Sequence, residues 1–316
     1  MTFESPSRSR IPALRALWKE AFGDSDVFLD GFFEYGFSPD RCRCIVKEGA
    51  VLSALYWFEG TVEDQRFAYL YAVATAKAAR GQGLFSALLQ DVKQLLAAEG
   101  FDGILLHPAD EGLARMYEKF GFSACASVDV RRIGADMWEM PPSDEGGGFA
   151  EGEDGGREKV CSITTPPSAC SADTSPDTRP AGLYRAQPPA GRLLARRKGR
   201  LGCGAIRELS AETYAALRRA YLPLGAVLQE GDWLPFLNSQ YRFFSGGDFL
   251  AAGQIYEGKF YAQEFLGNSD CMAPLLYALG VEEGVFRTVG ESTPFVWYLP
   301  LTERCVKPQY FAMALD

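Results

Sequence analysis

The residues with the clearest capacity for chemistry lie together at 73–89, VATAKAARGQGLFSALL. An apolar, β-rich run leads into a glycine-bearing turn. A stretch follows whose apolar residues at 84, 85, 88, 89, 92, 95 and 96 trace one helical face, ended by Gly100. A helix start leaves several backbone N–H groups without partners and carries partial positive charge, so this geometry suits an anion such as a pyrophosphate. Gly81 and Gly83 allow the backbone to approach the ligand, and Arg80 adds a fixed positive charge. The turn has neither the Lys-Ser/Thr of a nucleotide P-loop nor the GxGxxG spacing of a dinucleotide fold, and both readings fall.

The elements around this loop can be read from periodicity. Positions 12–22 and 25–35 have helical spacing, with Ser25 placed to cap the second helix. Two β-rich runs, 42–47 and 50–58, flank the hairpin signal Glu48-Gly49, and 66–75 reads as a longer strand. After the helix beginning at Leu84 come a strand at 104–107, a helix at 110–120 and a strand at 122–130. The chain has 316 residues, which suits two domains at roughly 150 residues each. Composition shifts sharply after Met140 to Gly, Pro, Ser and acids without apolar periodicity, and a basic run at 192–200 follows. The expected division is a first domain at 1–140, a flexible linker at 141–190 and a second α/β domain at 191–316. In the second domain Ser210 should cap a helix reaching Tyr221, and Glu257-Gly258 should turn a hairpin between 249–256 and 259–265. A short helix is expected at 274–279, with strands at 295–299 and 310–315.

With 41 acidic and 32 basic side chains the net charge is −9, which disfavours nucleic acid and anionic lipid as partners. No run of about 18 uncharged apolar residues suggests a membrane span, and the N-terminal residues lack a secretory apolar core, so the cytoplasm is the expected location. The eight cysteines are mostly far apart in sequence, only Cys42 and Cys44 being close; they read as reduced thiols rather than a disulfide framework or a metal site. No metal is expected.

The loop Arg80-Gly81-Gln82-Gly83-Leu84 resembles the Q/RxxGxG/A pyrophosphate loop of the GNAT acetyltransferases, and LARMYEKFGF at 113–122 resembles that family's helix-to-strand segment. The resemblance spans about 10–131, and Phe85 departs from it by standing where the family usually has Gly or Ala. It implies the GNAT fold, a mixed and mostly antiparallel sheet flanked by helices, with acetyl-CoA as co-substrate. It further implies donor contacts from Tyr71, Ala72, Val73, Arg80, Gly81, Gln82, Gly83, Leu84, Phe85 and Ser86. The strand at Tyr71-Ala72-Val73 would splay from its neighbour, and an N–H near Val73 would polarise the thioester carbonyl. Tyr117 stands where the family often has the acid for the departing thiolate, a role that a phenol, protonated at neutral pH, can fill.

For the base, Glu59, Glu63 and Asp64 lie where such enzymes often place a carboxylate or a water relay. The single histidine, His107, follows a strand and reads as a structural residue before Pro108. The second half resembles the degenerate GNAT-like module of bacterial two-domain members. It carries no RxxGxG loop, so no second CoA site is expected. Its expected role is to wall an acceptor pocket with Glu264 and Asn268 as polar candidates, Glu264 also as a catalytic one, and Trp233, Phe265 and Trp297 as apolar ones. Acetyl transfer to a small-molecule or peptide amine by direct attack, in a monomer or homodimer, is the leading expectation. A CoA-binding sensor or scaffold without turnover is the alternative, and a tRNA-dependent transferase fits the acidic charge poorly.

Overall fold

The computed structural model describes residues 1–134, 193–195 and 203–314. The first half runs β1 (Thr2–Glu4), α1 (Ile11–Phe22), α2 (Asp26–Gly31), β2 (Cys42–Lys47), β3 (Ala50–Val62), β4 (Gln65–Thr75), α3 (Leu84–Ala98), β5 (Gly103–Leu106), α4 (Glu111–Glu118) and β6 (Ser123–Ile133). The second runs β7 (Leu193–Ala195), β8 (Ile206–Leu209), α5 (Ala211–Arg218), α6 (Trp233–Gln240), β9 (Arg242–Ser245), β10 (Phe249–Tyr256), β11 (Lys259–Gly267), α7 (Met272–Leu279), β12 (Glu283–Val289) and β13 (Thr293–Pro300). The expected linker and basic run fall almost wholly outside the described residues.

Local chemistry accounts for most boundaries. Glu48 and Gly49, at φ 51° and 84°, and Glu257 and Gly258, at 46° and 75°, take the left-handed conformations that two-residue hairpins require. Ser25 and Ser210 accept the N–H of Phe28 and Thr213 as helix caps. Past Gly31 the second helix widens into a π turn, Phe32–Gly36, which ends at Phe37. The expected strand at 310–315 is corrected. Tyr310 makes one bridge to Ala226, and the next carbonyls are taken by side chains, Ala312 by Arg287 Nη1 (2.7 Å) and Met313 by Gln229 Nε2 (2.8 Å). With those acceptors engaged no ladder continues.

The thirteen described strands form one sheet in the order β1-β2-β3-β4-β5-β13-β6-β12-β11-β10-β9-β8-β7. Among the described strands only β4–β5 and β11–β12 pair in parallel, each joined by a crossover helix, α3 and α7. The two halves thus repeat one topology and exchange their last strands: β6 pairs with β12 of the second half, and β13 lies between β5 and β6. The core is shared as well. One face of β3–β5 packs on α3 and α4 through Leu70, Leu88, Val92 and Ile104. The opposite face joins Trp18, Phe32 and Phe58 to Trp233, Phe236 and Phe311 in one cluster.

The cysteine expectation is corrected at one pair. Cys203 and Cys271 form a disulfide with Cα atoms 5.7 Å apart, although 68 positions separate them in sequence, a pairing that spacing could not reveal. Cys42 and Cys44 remain free: two residues apart on β2, they point to the same face side by side.

Candidate active site

The site begins with an irregularity in β4. The pairing with β3 steps from Ala54↔Ala74 to Tyr56↔Tyr71, so β4 carries one extra residue, and Ala72 takes φ 48°. For a non-glycine residue that conformation costs about 1 kcal/mol, held by the surrounding sheet. The bulge turns Tyr71 and Ala72 together toward the shared core and Val73 toward the α3 face. On its other side β4 pairs with β5 only through Phe67↔Gly103, Ala68↔Ile104 and Tyr69↔Leu105. From Leu70 onward no described strand pairs with that edge, and the two parallel strands part there.

The loop after β4 has a geometry that suits an anion. A 3-10 turn, Lys77–Ala79, is followed by Arg80, whose Nε donates to Thr75 O (3.2 Å), and Gln82 Nε2 donates to Ala78 O (3.3 Å). Gly81 and Gly83 both have φ 75°, and a Cβ on either would meet nothing within 4 Å. The first helical bond of α3 runs from Ala87 N–H to Gly83 O, so the amides of Leu84, Phe85 and Ser86 have no partner within the helix. Gly83 offers no capping side chain, and the first turn holds no acid. The fifteen-residue dipole is left open to an incoming negative charge.

Phe85 packs edge-on against Tyr117 (5.7 Å) and Phe120 (5.1 Å), filling the seam between α3 and the end of α4. Tyr117 is buried between Phe85 and Phe122, and burial pushes its phenol up to about 12. Asp110 holds the start of α4 by accepting Leu113 N–H at 2.7 Å. Asp110→Ala should cost about 1 kcal/mol, read as a lower midpoint in urea unfolding, because that donor loses its partner.

Other sequence candidates do not converge here. Glu59 lies opposite Ala68, four residues before Ala72 along β4, and is paired with Arg66 at 2.8 Å. Glu63 and Asp64 form the β3–β4 turn at that same far end, with Glu63 at φ 53°. Glu264 is fully buried: Oε2 accepts from Arg218 Nε (2.5 Å) and the Tyr214 hydroxyl (2.8 Å), and Oε1 from Arg218 Nη2 (2.8 Å). Asn268 caps its own short turn by accepting Asp270 N–H. Trp233 stacks on Phe58 at 4.6 Å within the shared core, and Phe265 packs among Phe249 and Phe286 in the far half. Trp297 pairs with Leu106 next to the site. Among the described residues no three His, Cys, Asp or Glu side chains gather as metal ligands, and no helix is long and apolar enough to cross a membrane.

The second half shows the same bulge in a closed form. After Ala262↔Phe286, β11 carries one extra residue, but pairing resumes at Phe265↔Thr288. The position matching the loop is a capped turn, Ser269–Cys271, tied down by the Cys203 disulfide.

No curated protein matches the chain by sequence. Residues 11–122 match the model of the Acetyltransferase (GNAT) family. Among solved structures the chain is similar in fold to a GCN5-related N-acetyltransferase from Kribbella flavida (TM-score 0.56, 12% identity, 94% of this chain and 70% of that one). A GCN5-related N-acetyltransferase from Anabaena variabilis (0.55, 14%, 95% and 73%) and Eis1 from Mycobacterium abscessus (0.56, 12%, 95% and 74%) are similar to the same degree. These likenesses run across both halves and concern the fold; the family match falls on the bulged strand, the glycine loop and the Tyr117 helix. Residues 11–122 of this chain are therefore an acetyltransferase domain of the GNAT family.

Proposed function

We propose that the protein moves an acetyl group from acetyl-CoA to a primary amine by direct transfer. One observation carries the reading: the unpaired amides at the start of α3 lie directly beyond the β4 edge that loses its strand partner after Tyr69. The pyrophosphate binds at Arg80-Gly81-Gln82-Gly83-Leu84-Phe85-Ser86, and the pantetheine arm hydrogen-bonds along the open edge at Tyr71-Ala72-Val73. An N–H at the bulge, near Val73, meets the carbonyl oxygen as it becomes an oxyanion. The amine, once deprotonated, forms the C–N bond, the C–S bond breaks, the CoA thiolate takes the Tyr117 proton, and the second proton, shed by the acylated nitrogen, returns through solvent to the Tyr117 phenolate. No covalent enzyme intermediate is involved, and positioning with oxyanion stabilisation supplies most of the acceleration. The second half carries no donor site, because its parallel strands stay paired past the bulge and its turn is capped.

Release of CoA thiol, followed across a panel of amines, tests this directly, and product mass identifies the acetylated nitrogen. Tyr117→Phe should lower kcat roughly 100-fold with little change in acetyl-CoA affinity. Because burial pushes the phenol up to about 12, the acid form persists through neutral and mildly alkaline pH and is lost only as pH rises toward that value. An unchanged kcat in a folded Tyr117→Phe variant would contradict the assignment.

A further inference from the structure

We propose that His107 is the base that deprotonates the acceptor amine, and that the second half of the chain holds its imidazole in the tautomer this role needs. The inference rests on the acetyl-transfer reading above and adds the residue that reading lacks.

Register places the side chain. The last parallel pair is Tyr69↔Leu105, so two residues further His107 stands level with Tyr71 across the gap where β4 and β5 part. Alternation along β5 sends Ile104 and Leu106 to the α3 face and Leu105 to the shared core, and His107 follows Leu105. Its ring lies against Phe295, a member of that core, with centroids 4.0 Å apart. The imidazole therefore borders the opening on the face opposite α3, beside the bulge whose N–H faces the thioester in the proposed complex. A base there receives an amine approaching from the side away from the pyrophosphate.

The tautomer follows from hydrogen bonding. His107 Nδ1 is 2.5 Å from the carbonyl oxygen of Phe295, and a carbonyl only accepts, so Nδ1 carries the hydrogen. In the neutral ring Nε2 is then the basic nitrogen. Phe295 has this carbonyl to offer because β13 bulges there: its pairing with β6 steps from Pro294↔Ser127 to Val296↔Ala126, passing over Phe295. Behind the ring, the Arg287 guanidinium lies 4.0 Å from the Phe295 centroid and donates to Gln263 Oε1 (3.0 Å) and Ala312 O (2.7 Å). All of these groups belong to the second half. The exchange of β13 into the first half thus delivers the orienting carbonyl to the reaction centre. The carboxylates with a prior claim, Glu59 and Glu264, are held in ion pairs by Arg66 and Arg218.

In the reaction Nε2 takes one proton from the acceptor ammonium, the freed amine attacks the thioester carbon, and the resulting imidazolium returns its proton to solvent after CoA leaves. Since the chain has one histidine, the imidazole ¹⁵N signals of the full-length protein are unambiguous. The expected spectrum shows a protonated Nδ1 and an Nε2 without hydrogen, both shifting when acetyl-CoA saturates the protein. The Nε2-protonated tautomer, or signals unmoved while calorimetry shows acetyl-CoA bound, would overturn the role of His107 and leave the donor site standing. Absence of acetyl-CoA binding would bring down both. On whichever of spermidine, L-lysine and tyramine the wild type acetylates fastest, His107→Gln should lower kcat by about 100-fold while acetyl-CoA affinity stays within about twofold. An unchanged kcat in a folded variant would refute the assignment.

Discussion

Replacing Glu264 with alanine should destabilise the protein by about 3–5 kcal/mol, the largest single-residue effect on folding expected here. Arg218 is as deeply buried as its partner, with side-chain exposures of 3% and 0%, and gives Glu264 two of its donors. Without the carboxylate, a guanidinium would remain in the core with only Val227 O (3.2 Å) and Gln229 Oε1 (3.4 Å) as acceptors, and the Tyr214 hydroxyl would lose its acceptor too. The cost comes from that uncompensated charge, not from the net worth of the pair. Replacing both partners, as in Arg218→Met with Glu264→Leu, should therefore recover most of the loss. Guanidinium unfolding of the three proteins measures this. A loss below about 1 kcal/mol in Glu264→Ala would mean that water reaches the pair. Acetyl-CoA affinity under native conditions should be unaffected, because Glu264 lies in the bulge of the closed half.

The second large effect concerns the glycine loop. A variant combining Arg80→Ala with Gly83→Glu should lose acetyl-CoA affinity by on the order of 100-fold or more, as followed by calorimetry. Gly83 sits at φ 75°, which an L side chain takes at a cost of about 1 kcal/mol, and the added carboxylate would oppose the pyrophosphate at the start of α3. Losing Arg80 removes a charge-assisted contact as well. Because a Cβ at Gly83 meets nothing within 4 Å, the fold itself should survive, and circular dichroism separates lost binding from lost structure.

The first half was largely legible in the sequence because its signals are local. The spacing from Leu84 to Leu96 became the buried face of α3, Glu48-Gly49 became a hairpin, and Ser25 became a cap. What escaped depends on contacts distant along the chain. Nothing about an alanine announces φ 48° at Ala72; the sheet imposes it. The helix Trp233–Gln240 was missed because it is only eight residues long, has Pro235 inside its first turn and makes no side-chain cap, and it forms on the aromatic surface of Phe58 and Phe32. The strand Thr293–Pro300 was anticipated, but not its place between β5 and β6. That placement explains what local reading could not: His107 looked like a residue before Pro108 until a carbonyl 188 positions away came within 2.5 Å. Phe85, the departure from the family loop, is accounted for by its contacts with Tyr117 and Phe120. The Cys203–Cys271 disulfide and the buried Arg218–Glu264 pair have no spacing signature at all.

The central claim is that one acetyl-CoA binds each chain, at the loop before α3. Calorimetric titration of acetyl-CoA into the wild-type protein tests it most directly. The account predicts saturable, micromolar binding at a stoichiometry of one, since β4 and β5 part while β11 and β12 stay paired. Heats indistinguishable from dilution in a folded protein would contradict the donor site, and two equivalents bound would contradict the closed second half.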